Sequence, residues 1–210
     1  MTTVQQLTAA QMAECDRHTI EDIGIPSLVL MERAALATAQ VVMGQMATAR
    51  VLVVCGVGNN GGDGLAVARL LRLKGVHVTI LLLGKPEKAT DQTAVQLKIC
   101  QHYKIPTLTE LPADLADYTT IIDAVFGIGL SRPITGNYAK VIDALNDVDT
   151  GRLAVDIASG ISADTGEVLG TAFRADITVT MAYQKIGQTV AQGPAHCGDL
   201  IVADIGIYKE

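Results

Sequence analysis

The segment GVGNNGGDG, residues 56–64, combines glycines with side chains that can bind a ligand. Its glycines follow the G-x-G-x-x-G pattern of dinucleotide-binding loops, in which backbone N–H groups approach a phosphate at a helix N-terminus. The segment also carries Asn59, Asn60 and Asp63, which that pattern does not require. Their amide and carboxylate groups suit a ligand rich in hydroxyls and amides, or a cation with oxygen ligands. We therefore interpret the segment as a ligand-binding loop; the simpler alternatives are turn-forming asparagines and a helix cap at Asp63.

A second loop, DAVFGIGLSRPITG at residues 123–136, begins with a carboxylate at the end of an apolar strand. Because a buried carboxylate must be paired or coordinated, Asp123 is a candidate ligand. The glycines that follow allow a close approach of the backbone, and Arg132 can bind a phosphate through its planar guanidinium group. The alternative is a flexible connection with a surface arginine.

A third loop, AVDIASGISADTG at residues 154–166, places Asp156 at a strand end and Ser159 just beyond it. The G-x-S-x-G pattern of a nucleophilic serine is absent, so Ser159 is a better oxygen ligand or hydrogen-bond partner than a nucleophile. Three strand ends thus bring amide, hydroxyl and carboxylate oxygens to one edge of a sheet. Oxygen ligands on separate loops, without His or Cys, favour a hard cation over zinc. A neighbouring carboxylate that is left uncoordinated could act as a general acid or base.

The glycine loop, residues 56–64, is not followed by one residue that a conventional dehydrogenase site requires. A site for NAD requires an acidic residue at the end of the second strand, about 20 residues beyond the glycines. Leu83, Gly84 and Lys85 stand there instead, although Lys85 leaves an NADP-dependent dehydrogenase open. A non-catalytic nucleotide-binding module, acting on a protein partner through its N-terminal helices, is a second alternative. The intact set of polar residues in three loops argues against that module.

Alternating apolar runs and helical patterns predict the scaffold that positions these loops. Continuous β-branched runs such as RVLVVC are typical of strands buried on both faces. The predicted strands span residues 50–55, 76–83, 118–127, 151–157, 175–182 and 200–206, and the predicted helices span 62–75, 89–103 and 137–148. This alternation predicts an α/β fold with a doubly wound, mostly parallel sheet and helices on both faces.

The first fifty residues have a helical pattern instead. Polar and apolar residues alternate at helical spacing over residues 8–21, and a longer helix is predicted after Pro26, with Ser27 as its N-cap. The Ala, Val and Met content of this second helix predicts burial against the domain, with a second subunit as the alternative. We therefore predict a single domain over residues 1–210, with a helical region of about 1–48 and a core of about 49–210.

Composition and charge exclude several classes of protein. The chain has 210 residues, a net charge of −6 and no basic cluster with interleaved aromatics, so a nucleic-acid partner is not expected. Four scattered cysteines without C-x-x-C predict reduced thiols rather than a zinc site or a disulfide framework. The N-terminus lacks the pattern of a signal peptide, and no apolar run approaches the ~20 residues of a membrane span. A cytoplasmic protein without a membrane partner is predicted.

Four segments together resemble the NAD(P)H-hydrate epimerase family: GVGNNGGDGLAVARLL, DAVFGIGLSRPITG, AVDIASGISADTGEV and CGDLIVADIGI. The segment QMAECDRHTIEDIGIPSLVLMERAA also resembles the family's N-terminal helical region. The resemblance covers nearly the whole chain, in the family's order, and the N-N-G-G-D-G block is specific. It implies a Rossmann-like fold, usually dimeric. It also implies that the chain interconverts the R and S epimers, at C6, of hydrated NADH and NADPH (NADHX and NADPHX). An S-specific dehydratase, as a functional partner or a fused domain, then restores the normal cofactor.

The resemblance assigns roles to individual residues by their position in these motifs. The residues implied to contact the substrate are Asn59, Asn60, Gly61, Gly62, Asp63, Gly127, Ile128, Gly129, Leu130, Ser131, Arg132, Pro133 and Asp156. Asp156 is also predicted to be the catalytic acid or base. The implied cofactor is a potassium ion, held with backbone carbonyls by Asn60, Asp123 and Ser159. Lys185 also fits the family but receives no role, and the departures at Val57, Ala158 and Ala35 remove no polar group.

Overall fold

A computed structural model describes residues 5–207 of the chain. The strands in that range are β1 (Gln6–Leu7), β2 (Val51–Cys55), β3 (Val78–Leu82), β4 (Thr107–Leu108), β5 (Thr120–Ala124), β6 (Gly151–Val155), β7 (Ile177–Met181), β8 (Gln184–Lys185) and β9 (Asp199–Ala203). The helices are α1 (Ala9–Arg17), α2 (Ser27–Gln45), α3 (Asn59–Leu73), α4 (Asp91–His102), α5 (Gly136–Asn146) and α6 (Gly193–Cys197). A π-helical turn, His18–Asp22, continues α1.

Seven strands form one parallel sheet in the order β4-β3-β2-β5-β6-β7-β9. From β2 the chain winds outward through β3 to β4, then returns to the other side of β2 and continues from β5 to β9. The registers of β2 with β3 and of β2 with β5 are both parallel and continuous over five residues. The predicted doubly wound α/β fold is therefore confirmed. The winding direction reverses between β2 and β5, which is where such sheets form ligand sites.

Side chains of the central strands alternate between two hydrophobic cores. In β2, Val51, Val53 and Cys55 enter the core that α2, α3 and α4 cover, whereas Leu52 and Val54 enter the core that α5 covers. All five are fully buried. Burying a Val or Leu side chain contributes about 1.5–3 kcal/mol, so both faces stabilise the sheet. The continuous apolar runs that predicted these strands are a consequence of this two-sided burial.

The long helix α2 packs on the domain. Ala34, Ala35 and Val42 are buried in the same core as α3, and the helix also contacts β7 and β9. Burial of α2 against the domain is thus confirmed. By length and composition α2 also satisfies the criteria for a membrane span, as core helices of soluble proteins do.

Ser27 was predicted as the N-cap of α2, and this is wrong. Ser27 is the first helical residue, Pro26 occupies the capping position, and no side chain caps the helix there. Pro26 has φ −59° and ψ 137°, an extended conformation that a proline ring favours. The chain therefore enters the helix one residue earlier than a serine cap would require.

A two-residue sheet near the N-terminus was not predicted. Gln6 and Leu7 of β1 pair in parallel with Gln184 and Lys185 of β8. Leu7 is almost fully buried in the core that α2, α3 and α4 cover. Thr8 then caps α1 by accepting a hydrogen bond from the Gln11 backbone N–H. This pairing joins the beginning of the described chain to the segment that carries Lys185.

Candidate active site

The carboxyl ends of β2, β5 and β6 face a cavity of about 630 Å³. It lies where the winding direction of the sheet reverses. Its walls are formed by the loops after these strands and by the N-terminal helices, which contribute Met12, Asp16, Leu30 and Met31. The volume falls in the range of small-molecule sites, about 300–1,000 Å³.

The glycine loop enters α3 earlier than predicted. The helix begins at Asn59, after an extended Gly58, rather than at residue 62. Asp63 therefore lies in the second turn, so the alternative that it caps the helix is wrong. A Cβ atom at Gly61 would overlap the carbonyl oxygen of Gly56, so glycine is required for this close approach. Glycines in a helix cost about 1 kcal/mol each relative to alanine, which explains why the sequence pattern favoured a later start.

Most of the predicted substrate residues line the cavity: Asn59, Asn60, Asp63, Gly127, Ile128, Gly129, Leu130, Ser131, Arg132 and Asp156. Gly61, Gly62 and Pro133 are outside this lining set. Gly62 instead packs against the side chains of Met31 and Thr93, which supports the position of α3. Ser131 and Arg132 are exposed at the rim.

Asp123 and Ser159 form a buried hydrogen-bonded pair. Ser159 Oγ donates to Asp123 Oδ1 over 2.7 Å, and the Ser159 backbone N–H donates to Asp123 Oδ2 over 2.8 Å. The Val125 backbone N–H also donates to Oδ1, over 3.1 Å. Burial raises the pKa of Asp123 to about 6, although these hydrogen bonds oppose the rise. No basic side chain hydrogen-bonds this carboxyl group within residues 5–207.

Asn60 lies beside the loop that contacts Ser159. A Cβ atom at Gly127 would be 3.3 Å from Asn60 Cβ, and the Phe126 backbone N–H donates to Ser159 Oγ over 2.8 Å. The two polar atoms of the Asn60 amide, Oδ1 and Nδ2, are buried without a hydrogen-bond partner among the described residues. An unpartnered buried amide is unfavourable by about 1–3 kcal/mol, so a bound group is expected to satisfy it. The three predicted potassium ligands thus border one short segment, Phe126–Gly127.

Asp156 is held rigidly at the end of β6. Its φ of +68° is unusual for a residue other than glycine, and such strain costs of order 1–3 kcal/mol. Its backbone N–H donates to Val179 O, and its carbonyl accepts from Gln188 Nε2 over 2.7 Å. Asp156 Oδ1 accepts from the Met181 backbone N–H and from Lys185 Nζ. No hydrogen bond in the described part of the chain uses Asp156 Oδ2, so this oxygen is left for a ligand.

Lys185 is the counter-charge of Asp156. Its side chain is 0% exposed, and Nζ donates to Asp156 Oδ1, to Thr180 Oγ1 over 2.8 Å and to Met181 O over 3.1 Å. These partners use the three protons of an ammonium group. Lys185 therefore orients and neutralises Asp156. The sequence contained no clear signal for this role, because 29 residues separate the two side chains.

Two further carboxyl groups line the cavity, and neither is in direct contact with a basic side chain of residues 5–207. Burial raises the pKa of Asp63 well above its ordinary value, and the negative charges of Asp156 and Asp16 add to the rise. Burial also raises the pKa of Asp16 to about 6; Asp156 adds to this effect and Lys185 opposes it. Asp16 was missed by the sequence analysis because it lies on α1, away from the strand-end loops.

Residues 27–187 match the model of the family described as YjeF-related protein N-terminus. A protein of Levilactobacillus brevis named NAD(P)H-hydrate epimerase is 51% identical over 205 residues, covering 97% of this chain and 95% of that protein. A protein of Oenococcus oeni with the same name is 48% identical over 211 aligned residues, covering 100% of both chains. The crystal structure of the yeast protein ynu0 has a similar fold, with a TM-score of 0.79 at 23% identity, covering 95% of this chain and 87% of that one.

Proposed function

The chain belongs to the NAD(P)H-hydrate epimerase family, and we infer from this membership that it is an isomerase of nicotinamide nucleotide repair. It interconverts the R and S epimers of NADHX and NADPHX at C6. The observation that carries this conclusion is the 48–51% identity, over nearly the full length, to relatives of that name, together with a cavity lined by Asn60, Asp63 and Asp156 at the reversal point of the sheet. The dehydrogenase alternative is not favoured, because Leu83 and Gly84 occupy the position of the ribose-binding acid.

The chemistry of the substrate suggests the role of Asp156. C6 of the hydrate carries a hydroxyl group and is bonded to the ring nitrogen, so inversion requires a C–O or C–N bond to break and re-form on the other face. A carboxyl group beside the hydroxyl can donate and accept the required proton. The Asp156 side chain supports this proposal, since Asp156 lines the cavity and Oδ1 is occupied by Lys185 and the Met181 N–H, whereas no hydrogen bond among the described residues uses Oδ2. Asp156 is therefore the proposed acid–base group.

A substitution tests this assignment. Asp156→Asn preserves the shape of the side chain but removes the proton acceptor, and is expected to lower kcat by about 10²–10⁴-fold. Asp149→Asn, the same substitution at an exposed position, serves as the matched control. An Asp156→Asn enzyme that is folded and epimerises at the wild-type rate would disprove the role.

The proposed potassium site consists of Asn60, Asp123 and Ser159 with nearby backbone carbonyls. The donor set fits a hard cation, because it offers an unpartnered buried amide oxygen beside an oxygen-rich pair that lacks a basic partner. Potassium is a weak Lewis acid, so when bound it would supply positive charge that orders the loops. Meanwhile Ser159 holds the Asp123 carboxyl group and the Phe126 amide in place.

Thermal unfolding tests this site without an activity measurement. The melting temperature is expected to be higher in KCl than in choline chloride of equal ionic strength, because an ion that binds only the folded state stabilises it. Asn60→Ala is expected to remove this difference. An equal potassium effect in the wild type and in Asn60→Ala would refute the ligand set.

The proposed contacts for the phosphate-bearing part of the substrate are the Gly127–Pro133 loop and the N-terminus of α3. Glycines at 127 and 129 leave space for the backbone to approach an anion, and Arg132 lies at the rim. Arg132→Ala is expected to raise KM with little change in kcat, since the contact is present in the ground state and in the transition state alike. An unchanged KM would place the phosphates elsewhere.

We also propose a cytoplasmic homodimer whose product is consumed by an S-specific dehydratase. The proposed self-association is supported by α2, on which Val29, Leu36 and Met43 recur every seven residues and are 44–46% exposed. Such a stripe suits packing against a second copy of the helix. Light scattering on the wild type and on Leu36→Glu tests this. The mass of a monomer for both proteins would contradict the homodimer. The mass of a dimer for Leu36→Glu would place the interface elsewhere.

A coupled assay tests the function as a whole. The protein is mixed with the R hydrate and a purified S-specific dehydratase, and the recovery of NADH is followed by absorbance. Faster recovery than with the dehydratase alone is expected. No acceleration would favour the non-catalytic binding module. Net oxidation or reduction of a nicotinamide cofactor with candidate alcohols, in the absence of the dehydratase, would favour the dehydrogenase.

A further inference from the structure

Asp16 occupies an unusual position for a residue on a surface-forming helix. It lies on α1 and lines the same cavity as Asp63, Asp156 and Lys185. Its neighbours on the outward face of α1 behave differently: Glu14 is exposed and pairs with Arg17. Asp16 is partly buried, and no hydrogen bond or ion pair in the described part of the chain uses its carboxyl group.

The position of Asp16 is fixed by contacts on both sides of α1. At the N-terminal side, β1 pairs with β8, so the strand that leads into α1 is joined to the strand that carries Lys185. The Ala9 backbone N–H also donates to Asp164 Oδ1 over 2.6 Å. Along α1, Met12 lies one turn before Asp16 and is buried in the core that α2, α3 and α4 cover. These contacts fix α1 against the domain and so place Asp16 at the cavity wall.

The charges that face Asp16 come from three elements. Asp63 lies on α3, Asp156 follows β6, and Lys185 belongs to β8; all three interact electrostatically with the cavity carboxyl groups. Three carboxyl groups thus share one ammonium group, and Lys185 is already committed to Asp156. Burial and the neighbouring negative charges raise the pKa of both Asp16 and Asp63, so these two carboxyl groups hold their protons to a higher pH than an ordinary carboxyl group does.

We propose that Asp16 is a second catalytic acid–base residue of the epimerase site, acting together with Asp156 on the C6 hydroxyl group of the hydrate. This inference rests on the proposed function. It assigns a chemical role to the N-terminal helical region, in which the sequence predicted no site residue.

The two carboxyl groups divide the inversion into balanced steps. Asp16 in its protonated form donates its proton to the C6 hydroxyl oxygen; the C6–O bond breaks, water leaves with the electron pair, and the ring nitrogen forms a double bond to C6. Water then adds to the opposite face of C6, the double-bond electrons return to nitrogen, and the proton released by that water passes to Asp156. The reverse reaction uses the same groups with their roles exchanged, or proton exchange with solvent resets them.

Asp16 is better suited to this transfer than Asp63. Burial and neighbouring carboxylates raise the pKa of Asp63 well above its ordinary value, so it holds its proton more tightly than an ordinary carboxyl group and is the poorer proton donor. The pKa of Asp16, raised by burial to about 6, lies near neutral pH, where a group both gives up and regains a proton readily. The pair Asp16 and Asp156 therefore provides one proton donor and one proton acceptor.

The test compares Asp16→Asn, Asp16→Glu and the control Glu14→Gln in the coupled assay, with the rate without enzyme subtracted at each pH. Asp16→Asn is expected to lower kcat at least tenfold with KM within twofold of the wild type, while Asp16→Glu recovers part of the loss. Wild-type kcat/KM is expected to fall as the pH rises above about 6, because the proton donor is lost; Asp16→Asn is expected to lack this inflection. Circular dichroism and melting temperatures establish that each variant is folded.

The outcomes separate this inference from the proposed function. If the wild type and Glu14→Gln accelerate NADH recovery but Asp16→Asn does so equally well, Asp16 has no catalytic role and the function stands. A higher KM with unchanged kcat would make Asp16 a substrate-binding residue instead. An inflection near pH 6 that persists in Asp16→Asn would assign it to another group. A wild type without epimerase activity would overturn both proposals.

Discussion

Replacing Lys185 with methionine tests whether the ion pair with Asp156 holds the site together. The Lys185 side chain is 0% exposed, and that of Asp156 is 14% exposed. Methionine keeps an unbranched apolar stem of similar length, so the packing of the stem is largely retained. The substitution mainly removes the positive charge and the hydrogen bonds to Asp156 Oδ1, Thr180 Oγ1 and Met181 O.

The expected loss of stability follows from these contacts. Removing one partner of a buried ion pair costs about 3–5 kcal/mol, because the other charge stays buried and unpaired. Thr180 Oγ1 keeps a neighbour in Gln188 Oε1 at 3.3 Å, and Met181 O keeps the donor from the Tyr183 backbone N–H at 2.6 Å, so the loss of the two hydrogen bonds from Lys185 adds little to this cost. We expect a decrease of about 4 kcal/mol in the free energy of unfolding at about pH 8.

Urea denaturation at about pH 8 measures this decrease. Lys88→Met, at an exposed position, is the matched control and is expected to change stability by less than about 0.5 kcal/mol. The double variant Lys185→Met/Asp156→Asn should be more stable than Lys185→Met alone, because it contains no unpaired charge. No recovery of stability in the double variant would attribute the effect to packing and refute the ion-pair reasoning.

Two further predictions concern stability. Asp16→Asn should stabilise the protein at about pH 8. The pKa of Asp16 in the folded state, about 6, is above the ordinary value of 3.8, so the stability of the wild type falls by up to about 3 kcal/mol as the pH rises through 6. The variant has no carboxyl group at this position and lacks the fall. Melting temperatures measured at about pH 4 and pH 8 check this, and a difference that does not grow with pH would contradict it. Gly61→Ala should destabilise by about 1–3 kcal/mol because its Cβ overlaps the Gly56 carbonyl, whereas the control Gly44→Ala, which meets open space inside a helix, should stabilise by about 0.5–1 kcal/mol. Equal effects of the two glycine substitutions in urea denaturation would refute the packing argument.

The scaffold was predictable because its strands are buried on both faces. A strand such as β2, with every side chain buried, requires a continuous apolar run, and that run is visible without a structure. The three loops that line the cavity were predictable for the same reason: each follows such a run, and the carboxyl ends of parallel strands meet at one edge. The ends of the elements were predicted less accurately than their existence, as at Asn59, where α3 begins. Helix propensity disfavours Gly61 in a helix, but the close contact with the Gly56 backbone requires a glycine there, and propensity does not include that contact.

The sequence by itself determined the fold class, the family resemblance and the loops in which Asn60, Asp123 and Asp156 lie. Each of these depends on residues that are close together in the chain, so local patterns express them. Only the tertiary structure decided that Lys185 neutralises Asp156 and that α1 brings Asp16 to the same cavity. Lys185 lies 29 positions and Asp16 lies 140 positions from Asp156 in the chain. Their electrostatic interactions depend on distances in space and on the exclusion of water, which no local sequence pattern records.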